Sequence, residues 1–229
     1  MKAKRTFLAL LSAAAGAVAA YYLTEAYKRA RAKCPPFRKR IYSNARELVD
    51  AFRVFWEQPE LLLSVRQNPV ITPAFSEKLL LAVTGAHGCR YCTRVHSEIA
   101  KRLGLTSDEV GSLLRGEIGQ GTVDEAPALF FAQQYAISGG HPDQDLERGL
   151  IETYGDRTAR DIITHVQLMT IANLVGNTFD ALLSRVLGKP SPGSTLSNEL
   201  AVLATFVFGI MPLAPILAMR AQMVCAIES

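Results

Sequence analysis

Residues 77–96 read EKLLLAVTGAHGCRYCTRVH, and this stretch contains the chain's most informative group of reactive side chains. Cys89 and Cys92 lie three positions apart, and His96 follows four positions later. If Cys89 lies in the first turn of a helix, these intervals bring all three side chains to one helical face. The spacing therefore predicts a helix that presents two thiols and an imidazole together.

The residues before the cysteines predict a second helix, from Pro73 to Ala86, with Glu77 on it. Gly85 and Gly88 lie near the end of this helix and favour a break there. A break at these glycines lets the helix that carries Glu77 fold back against the cysteine helix.

On both sides of these two predicted helices, apolar residues continue to repeat at helical intervals, and runs of residues that favour strands are scarce. Thr106 is followed by acidic residues, which is typical of a capped helix start leading to Gly116. The last core helix is expected to break near Gly176-Asn177. We predict an all-α fold, with further helices at Glu47–Trp56, Ala126–Ser138, Leu146–Tyr154 and Ala159–Leu187.

The cysteine pair has the properties of a redox-active dithiol. Unpaired N–H groups at a helix N-terminus stabilise a thiolate, and cysteine pKa values there fall from about 8.5 to roughly 3.5–7.5. A histidine one turn away can accept a thiol proton, and a carboxylate can orient that histidine. The second cysteine can then close a disulfide.

The same stretch resembles the alkylhydroperoxidase D-like (AhpD-like) branch of the carboxymuconolactone decarboxylase superfamily. That branch is marked by a glutamate, eleven residues, a Cys-x-x-Cys, three residues and a histidine. Glu77, Cys89, Cys92 and His96 meet every spacing. The resemblance extends from about Pro73 to Arg185 and leaves out both ends of the chain.

The resemblance implies reduction of a peroxide or a disulfide by the two thiols. Cys92 would be the accessible nucleophile, Cys89 would resolve it, and Glu77 with His96 would relay protons. No organic cofactor and no metal would be required, only a reducing thiol protein or a small-molecule donor. By analogy with related domains, the chain is expected to form a homo-oligomer or to be a subunit of a membrane complex.

Two other interpretations of the cysteine pair remain open. The pair is also compatible with a structural metal site formed by Cys89, Cys92, His96 and either Glu77 or His87, and with a non-catalytic structural subunit of a membrane assembly. Tyr91 stands where members of the branch often have another histidine. Since tyrosine does not shuttle protons near neutral pH, this departure weakens the expectation of peroxide reduction more than that of dithiol exchange.

Three further histidines are expected to lie outside the chemistry. His87 is expected to be solvated in a turn, and His141 and His165 are expected to be structural. Cys34 and Cys225 stand alone near the ends of the chain and have no local partner. The four cysteines therefore do not indicate a secreted disulfide scaffold.

The N-terminal segment from Thr6 to Leu23 carries no charge and is rich in alanine and leucine. We favour an uncleaved membrane anchor over a signal peptide, with a buried helix as a third alternative. Seven basic residues follow the segment between Lys28 and Arg40, against three before it. This bias predicts that the catalytic domain is cytoplasmic. A signal peptide would instead export it.

The C-terminal run from Leu200 to Met219 is also uncharged, and Gly209, Pro212 and Pro215 interrupt it. It is open to interpretation as a second span, an interfacial segment or a helix covering the domain. The predicted organisation is a hydrophobic segment (1–27), a basic connector (28–46), an AhpD-like helical domain (47–188), and a linker with a hydrophobic segment (189–229).

The composition supports a globular core, with 49% apolar and 20% charged residues. The net charge of +4 comes from the basic connector, and the remainder of the chain is close to neutral. No basic motif interleaved with aromatic residues accompanies that connector. We therefore expect no binding of nucleic acid.

Overall fold

The computed structural model describes residues 2–33, 36–118 and 124–228, with side chains throughout except at residues 2–14, 66 and 225–228. These described parts form helices and turns without a β-strand, which confirms the all-α prediction. The α-helices, in chain order, are α1 (Lys2–Lys33), α2 (Ala45–Glu57), α3 (Leu61–Gln67), α4 (Pro73–His87), α5 (Arg90–Arg102), α6 (Ser107–Arg115), α7 (Ala126–Ile137), α8 (Gln144–Val186), α9 (Leu196–Ala204) and α10 (Ala214–Glu228).

Helix α4 is the central element of the domain, since it packs against α5, α6, α7 and α8. Its start is fixed locally: the Thr72 side chain accepts a hydrogen bond from the Phe75 amide, and Pro73 occupies the first turn. It ends at Gly88, whose φ of 63° is left-handed. Glycine adopts this conformation without the steric cost of a Cβ.

The predicted break between α4 and α5 lies at Gly88 and not at Gly85. Gly85 is inside α4, where a Cβ would lie 2.6 Å from the Leu114 carbonyl oxygen. Gly85 therefore serves close packing between α4 and α6 rather than a turn. The two glycines of the motif have different roles, which their spacing alone did not indicate.

Two groups of buried apolar residues form the core. One surrounds α4 and includes Leu79, Val83, Leu129 and Phe131, all almost fully buried. The other joins α2, the second half of α8 and the C-terminal helices; it includes Leu48, Phe55, Leu174, Val202 and Ile210. Burying a side chain of this size contributes about 1.5–3 kcal/mol, so the second group holds the C-terminal helices firmly on the domain.

Helix α8 is interrupted between the two helices predicted at Leu146–Tyr154 and Ala159–Leu187, but the further break predicted near Gly176 is absent. The backbone leaves the helical conformation at Gly155, with φ 76° and ψ 160°, and it continues without interruption through Gly176-Asn177. The prediction of a break at Gly176 was therefore wrong. Gly176 is required for another reason, which concerns Cys89 and is described below.

The N-terminal segment is helical, as α1, and the helix continues through the first basic residues to Lys33. The side chains of residues 2–14 are outside the described set, as are Cys34 and the side chain of Cys225. The membrane role of α1 therefore stays a prediction.

The C-terminal helices form a continuous helical path that is long and apolar enough to cross a membrane. Residues Leu196–Val224 have a mean hydropathy of 2.3 in their most apolar window. A π-helical stretch, Thr205–Ile210, and a 3₁₀ turn, Met211–Leu213, connect α9 to α10. Pro212 lacks a backbone donor and crowds the preceding turn, which accounts for the departure from α geometry.

An ion pair fastens α9 to α8. Glu199, which is 1% exposed, accepts two hydrogen bonds from the Arg185 guanidinium at 2.8 and 2.9 Å. Arg185 also donates to the Ser194 carbonyl, so it holds the loop between the two helices as well.

We predict that Glu199→Gln lowers the free energy of unfolding by about 3 kcal/mol, because it leaves the Arg185 guanidinium without its buried countercharge. Thermal and denaturant unfolding in detergent measure this change. Glu98→Gln is the matched control, since Glu98 is exposed and pairs with Lys101 at 3.5 Å. A loss at Glu199 no larger than at Glu98 would contradict the structural role of the pair.

Candidate active site

Cys89 occupies the N-cap position of α5, directly after the glycine that ends α4. Its sulfur accepts a hydrogen bond from the Cys92 amide at 3.5 Å. The unpaired N–H groups of the first helical turn point towards this position, and they favour a negative charge there. The short connection between α4 and α5 therefore delivers one sulfur to the positive end of a helix.

The two sulfur atoms lie 3.0 Å apart, with both cysteines in the reduced state. Cys89 is fully buried, whereas Cys92 is partly exposed. A molecule arriving from solvent therefore meets Cys92 first. Closing a disulfide from this arrangement requires a shortening of the sulfur–sulfur distance to about 2.05 Å.

The two thiols have very different pKa values because they share a hydrogen bond. The hydrogen bond that Cys92 donates lowers the pKa of Cys89 to about 6, and backbone amides and the charge of Lys39 act in the same direction. The pKa of Cys92 is raised, because its proton is held by Cys89 and the site is buried. Near neutral pH the pair thus carries one negative charge, located mainly on the buried sulfur.

His96 and Glu77 are brought into direct contact. The imidazole Nδ1 of His96 lies 2.8 Å from Oε2 of Glu77, across the packed faces of α5 and α4. Glu77 is 8% exposed. A carboxylate at this distance accepts the Nδ1 proton, so the neutral ring has its Nε2 unprotonated and able to accept another.

A cluster of charged side chains on the other side of the dithiol was not identified from sequence. Asp180 on α8 binds Lys39 at 2.7 Å and Arg90 at 2.6 Å. The Tyr91 hydroxyl donates to the same carboxylate at 3.4 Å, and its ring packs on Phe179. Tyr91 is therefore held on the surface of α8. Arg90 is adjacent to the motif, but Lys39 and Asp180 are far from it in sequence.

Gly176 lies directly behind the buried sulfur. A Cβ at this position would be 2.8 Å from Cys89 Sγ, a contact that real structures do not accommodate without movement. The flanking Asn177 donates to the carbonyls of His87 and Arg40, both at 3.0 Å. Helix α8 thus provides both the space for the sulfur and a fixed position for the turn that carries it.

The expectation that His87 is solvated was wrong. His87 is 5% exposed and closes the last turn of α4. Burial and the nearby charge of Arg40 lower its pKa to about 4, so the ring is neutral at physiological pH. Its carbonyl, held by Asn177, fixes the α4–α5 turn.

The other two histidines belong to α8 and to the loop that precedes it. His165 is buried in α8, where its Nδ1 donates to the Asp161 carbonyl at 2.8 Å. It lines a cavity of about 760 Å³ with Ser76 and Leu80 of α4. His141 is exposed in the loop before α8.

Metal binding was one alternative for the cysteine pair. Among the described residues, no group of three or more His, Cys, Asp or Glu side chains is arranged to hold a metal ion.

The fold and the site together define an all-helical domain with a dithiol and a carboxylate–imidazole pair. Residues 55–134 match the model of the carboxymuconolactone decarboxylase family, the superfamily of the AhpD-like proteins. This match confirms the resemblance inferred from the motif. The match covers roughly a third of the chain and contains all four motif residues. No curated protein and no solved structure gives a significant match.

In a protein with Cys34→Ser and Cys225→Ser, so that only the dithiol ionises as thiolate, we predict that one thiolate forms as the pH rises through about 6 and that a second forms only at a higher pH than an ordinary cysteine requires. The ultraviolet absorbance of the thiolate measures both steps. Cys92→Ala removes the donated hydrogen bond and should raise the midpoint for Cys89 towards the ordinary value near 8.5. Two independent midpoints near 8.5 for Cys89 and Cys92 in the protein that lacks Cys34 and Cys225 would contradict the shared-proton arrangement.

Gly176→Ala should displace the Cys89 sulfur and destabilise the domain by about 1–3 kcal/mol, as overpacking does elsewhere. Slower disulfide formation should accompany the loss. Gly149→Ala is the matched control on the same helix, because a Cβ there meets nothing within 4 Å. That control should be neutral or stabilising by up to about 1 kcal/mol. Equal behaviour of the two variants would contradict the proposed packing role of Gly176.

Proposed function

We propose that this protein is a thiol-dependent oxidoreductase that reduces a peroxide or a disulfide through Cys89 and Cys92. The observation that carries the proposal is the pair of sulfurs 3.0 Å apart, of which one is buried and acidic and the other reachable. A structural role alone requires neither a lowered pKa nor an exposed partner thiol. The adjoining Glu77–His96 pair supplies the proton transfer that such chemistry needs.

In the first step, the Cys92 sulfur attacks the terminal oxygen of a hydroperoxide, and the O–O bond breaks. The Cys92 proton passes to Nε2 of His96 and from there to the departing alkoxide, which leaves as an alcohol. Because the proton leaves as the S–O bond forms, two fully charged sulfurs do not face each other. Glu77 orients the ring and stabilises the transient imidazolium.

In the second step, the Cys89 thiolate attacks the sulfenic sulfur of Cys92. The S–O bond breaks, a disulfide forms, and the hydroxide takes a proton from solvent and leaves as water. The two thiols lose two electrons and the peroxide gains them. A disulfide substrate follows the same course, with a thiolate as the leaving group in each step.

The cycle closes when an external dithiol protein or a small-molecule thiol reduces the Cys89–Cys92 disulfide. Every group in these steps belongs to the chain or to the substrate, so no organic cofactor and no metal takes part. With Tyr91 held by Asp180 in place of a further histidine, we expect disulfide exchange to be the faster of the two reactions.

We further propose that the protein acts at a membrane, with the catalytic domain on the cytoplasmic side and the chain in a homo-oligomer. The apolar stretch Leu196–Val224 supports membrane association, and the basic residues after α1 favour the cytoplasmic side. The same apolar stretch favours a second candidate function, a non-catalytic subunit of a membrane assembly. The reactivity of the thiols separates these two functions.

Glu77→Gln should slow oxidation of the dithiol by hydroperoxide and by a small disulfide about a hundredfold, the usual contribution of a positioned acid–base pair. Stopped-flow measurement of disulfide formation reports the rate. Glu98→Gln is the control, since Glu98 is on the same helix as His96 but exposed.

Cys92→Ser and Cys89→Ser complete the test, because each removes one thiol of the pair. Both should abolish turnover with an excess of reducing thiol. If the unmodified protein oxidises no faster than free cysteine, the structural-subunit function replaces the catalytic one. If it oxidises rapidly and Glu77→Gln matches the control, the proton relay is wrong.

A further inference from the structure

The C-terminal segment, residues 196–224, is packed on the domain along its whole length. Its buried positions are Glu199, Val202, Ile210, Leu217 and Ala221, each at most 8% exposed. Within the segment, α9 packs against α8 and α2, and α10 packs against α3. The segment is therefore a helical layer on the domain surface and not a free-standing helix.

The opposite face of the C-terminal segment is apolar and exposed. Only 17% of its most apolar window is buried. Phe208 is 81% exposed, an unusual state for a phenylalanine in contact with water. The other large apolar side chains that are exposed on this segment are Leu196, Leu200, Val207, Met211, Ile216, Met219 and Met223.

We propose that the C-terminal segment lies in the plane of a lipid bilayer surface, with its Phe208 face inserted in one leaflet and its buried face on the domain. The alternative of a perpendicular span conflicts with the packing. Because contacts to the domain run from Glu199 to Ala221, an upright segment would carry α2 into the hydrocarbon with it. Arg46 on α2, with an 89% exposed side chain, makes that arrangement costly.

Trp56 and Arg220, which lie beside the apolar face, form a pair of the kind found at the depth of the lipid headgroups. The Arg220 guanidinium stacks on the Trp56 ring, 4.5 Å from its centre, and donates to the Trp56 carbonyl at 2.8 Å. Trp56 is 40% exposed. Tryptophan and arginine concentrate at membrane interfaces, where the ring is half-buried and the charge meets lipid phosphates.

The apolar face continues from the C-terminal segment onto α2. A groove of about 270 Å³ lies between them, lined by Val49, Phe52 and Trp56 on α2 and by Ile210 and Leu213 on the segment. Acyl chains can fill such an irregular groove. Arg53 is also at the groove, where it pairs with Asp50. The cationic rim formed by Arg53 and Arg220 is complementary to anionic lipid headgroups, and this complementarity favours a bilayer over a second copy of the chain.

The chain contains a single tryptophan, Trp56, so its fluorescence reports on this surface alone. The test uses the full-length protein in vesicles of phosphatidylcholine and phosphatidylglycerol with bromine at shallow or at deep acyl-chain positions. We expect severalfold stronger quenching of Trp56 by the shallow bromines than by the deep ones. We also expect protection of Trp56 from aqueous iodide.

Phe208→Asp should lower the bromolipid quenching severalfold, because it places a charge on the inserted face. Ile137→Asp is the matched control: Ile137 is 69% exposed, but it is on α7, which packs on α4 and α8. This control should leave the quenching unchanged, and in both variants the titration of the dithiol should be that of the unmodified protein.

Three results would overturn the proposal. Access of iodide without bromolipid quenching would mean that the face lies in water. Stronger quenching by deep than by shallow bromines would mean that the segment inserts upright. Protection from both quenchers would mean that another copy of the chain covers the face. None of these results bears on the dithiol chemistry, so this proposal and the proposed oxidoreductase function fail independently.

Discussion

The geometry of the site depends on the position of one buried sulfur at the start of α5. Gly88 ends α4 in a left-handed conformation, and the next residue, Cys89, caps the following helix. The sulfur there receives a backbone hydrogen bond and a second one from the Cys92 thiol. Helix α8 encloses it from behind, with a glycine at the point of contact. The hydrogen bonds favour a thiolate, and together with the charge of Lys39 they offset the cost of burying it.

In the proposed reaction the two sulfurs have different roles, because Cys89 carries the negative charge and Cys92 is exposed to the substrate. The charged sulfur is shielded, so it is protected from reaction with bulk oxidants. The reachable sulfur holds a proton until a base removes it. We propose that the Glu77–His96 pair, with His96 one turn further along α5, is that base.

Much of this structure was predictable from residue spacing. The helical class, the cap at Thr106 and the contact between the Glu77 and cysteine helices follow from periodicity, cap chemistry and the motif. The roles of glycines were harder to predict, because a glycine that permits close packing looks the same in sequence as one that breaks a helix. Gly85 and Gly176 are of the first kind and Gly155 is of the second.

The charged residues near the dithiol that are distant in sequence could not be predicted either. Lys39 lies fifty residues before Cys89, and Asp180 lies just over ninety residues after it, so no local pattern links them to the motif. Likewise, Asn177 binds the His87 carbonyl and the charge of Arg40 lowers the His87 pKa, although both residues are remote in the chain. Such contacts depend on tertiary packing, which a single sequence does not report.

The central claim is that Cys92 is a reachable thiol whose proton is removed by the Glu77–His96 pair. The most direct measurement is the pH dependence of Cys92 alkylation in the reduced protein, mapped by mass spectrometry, with His96→Ala for comparison. We expect the loss of His96 to slow alkylation of Cys92 across the neutral range and to leave the acidic midpoint of Cys89 in place. An alkylation profile that is identical in both proteins would contradict it.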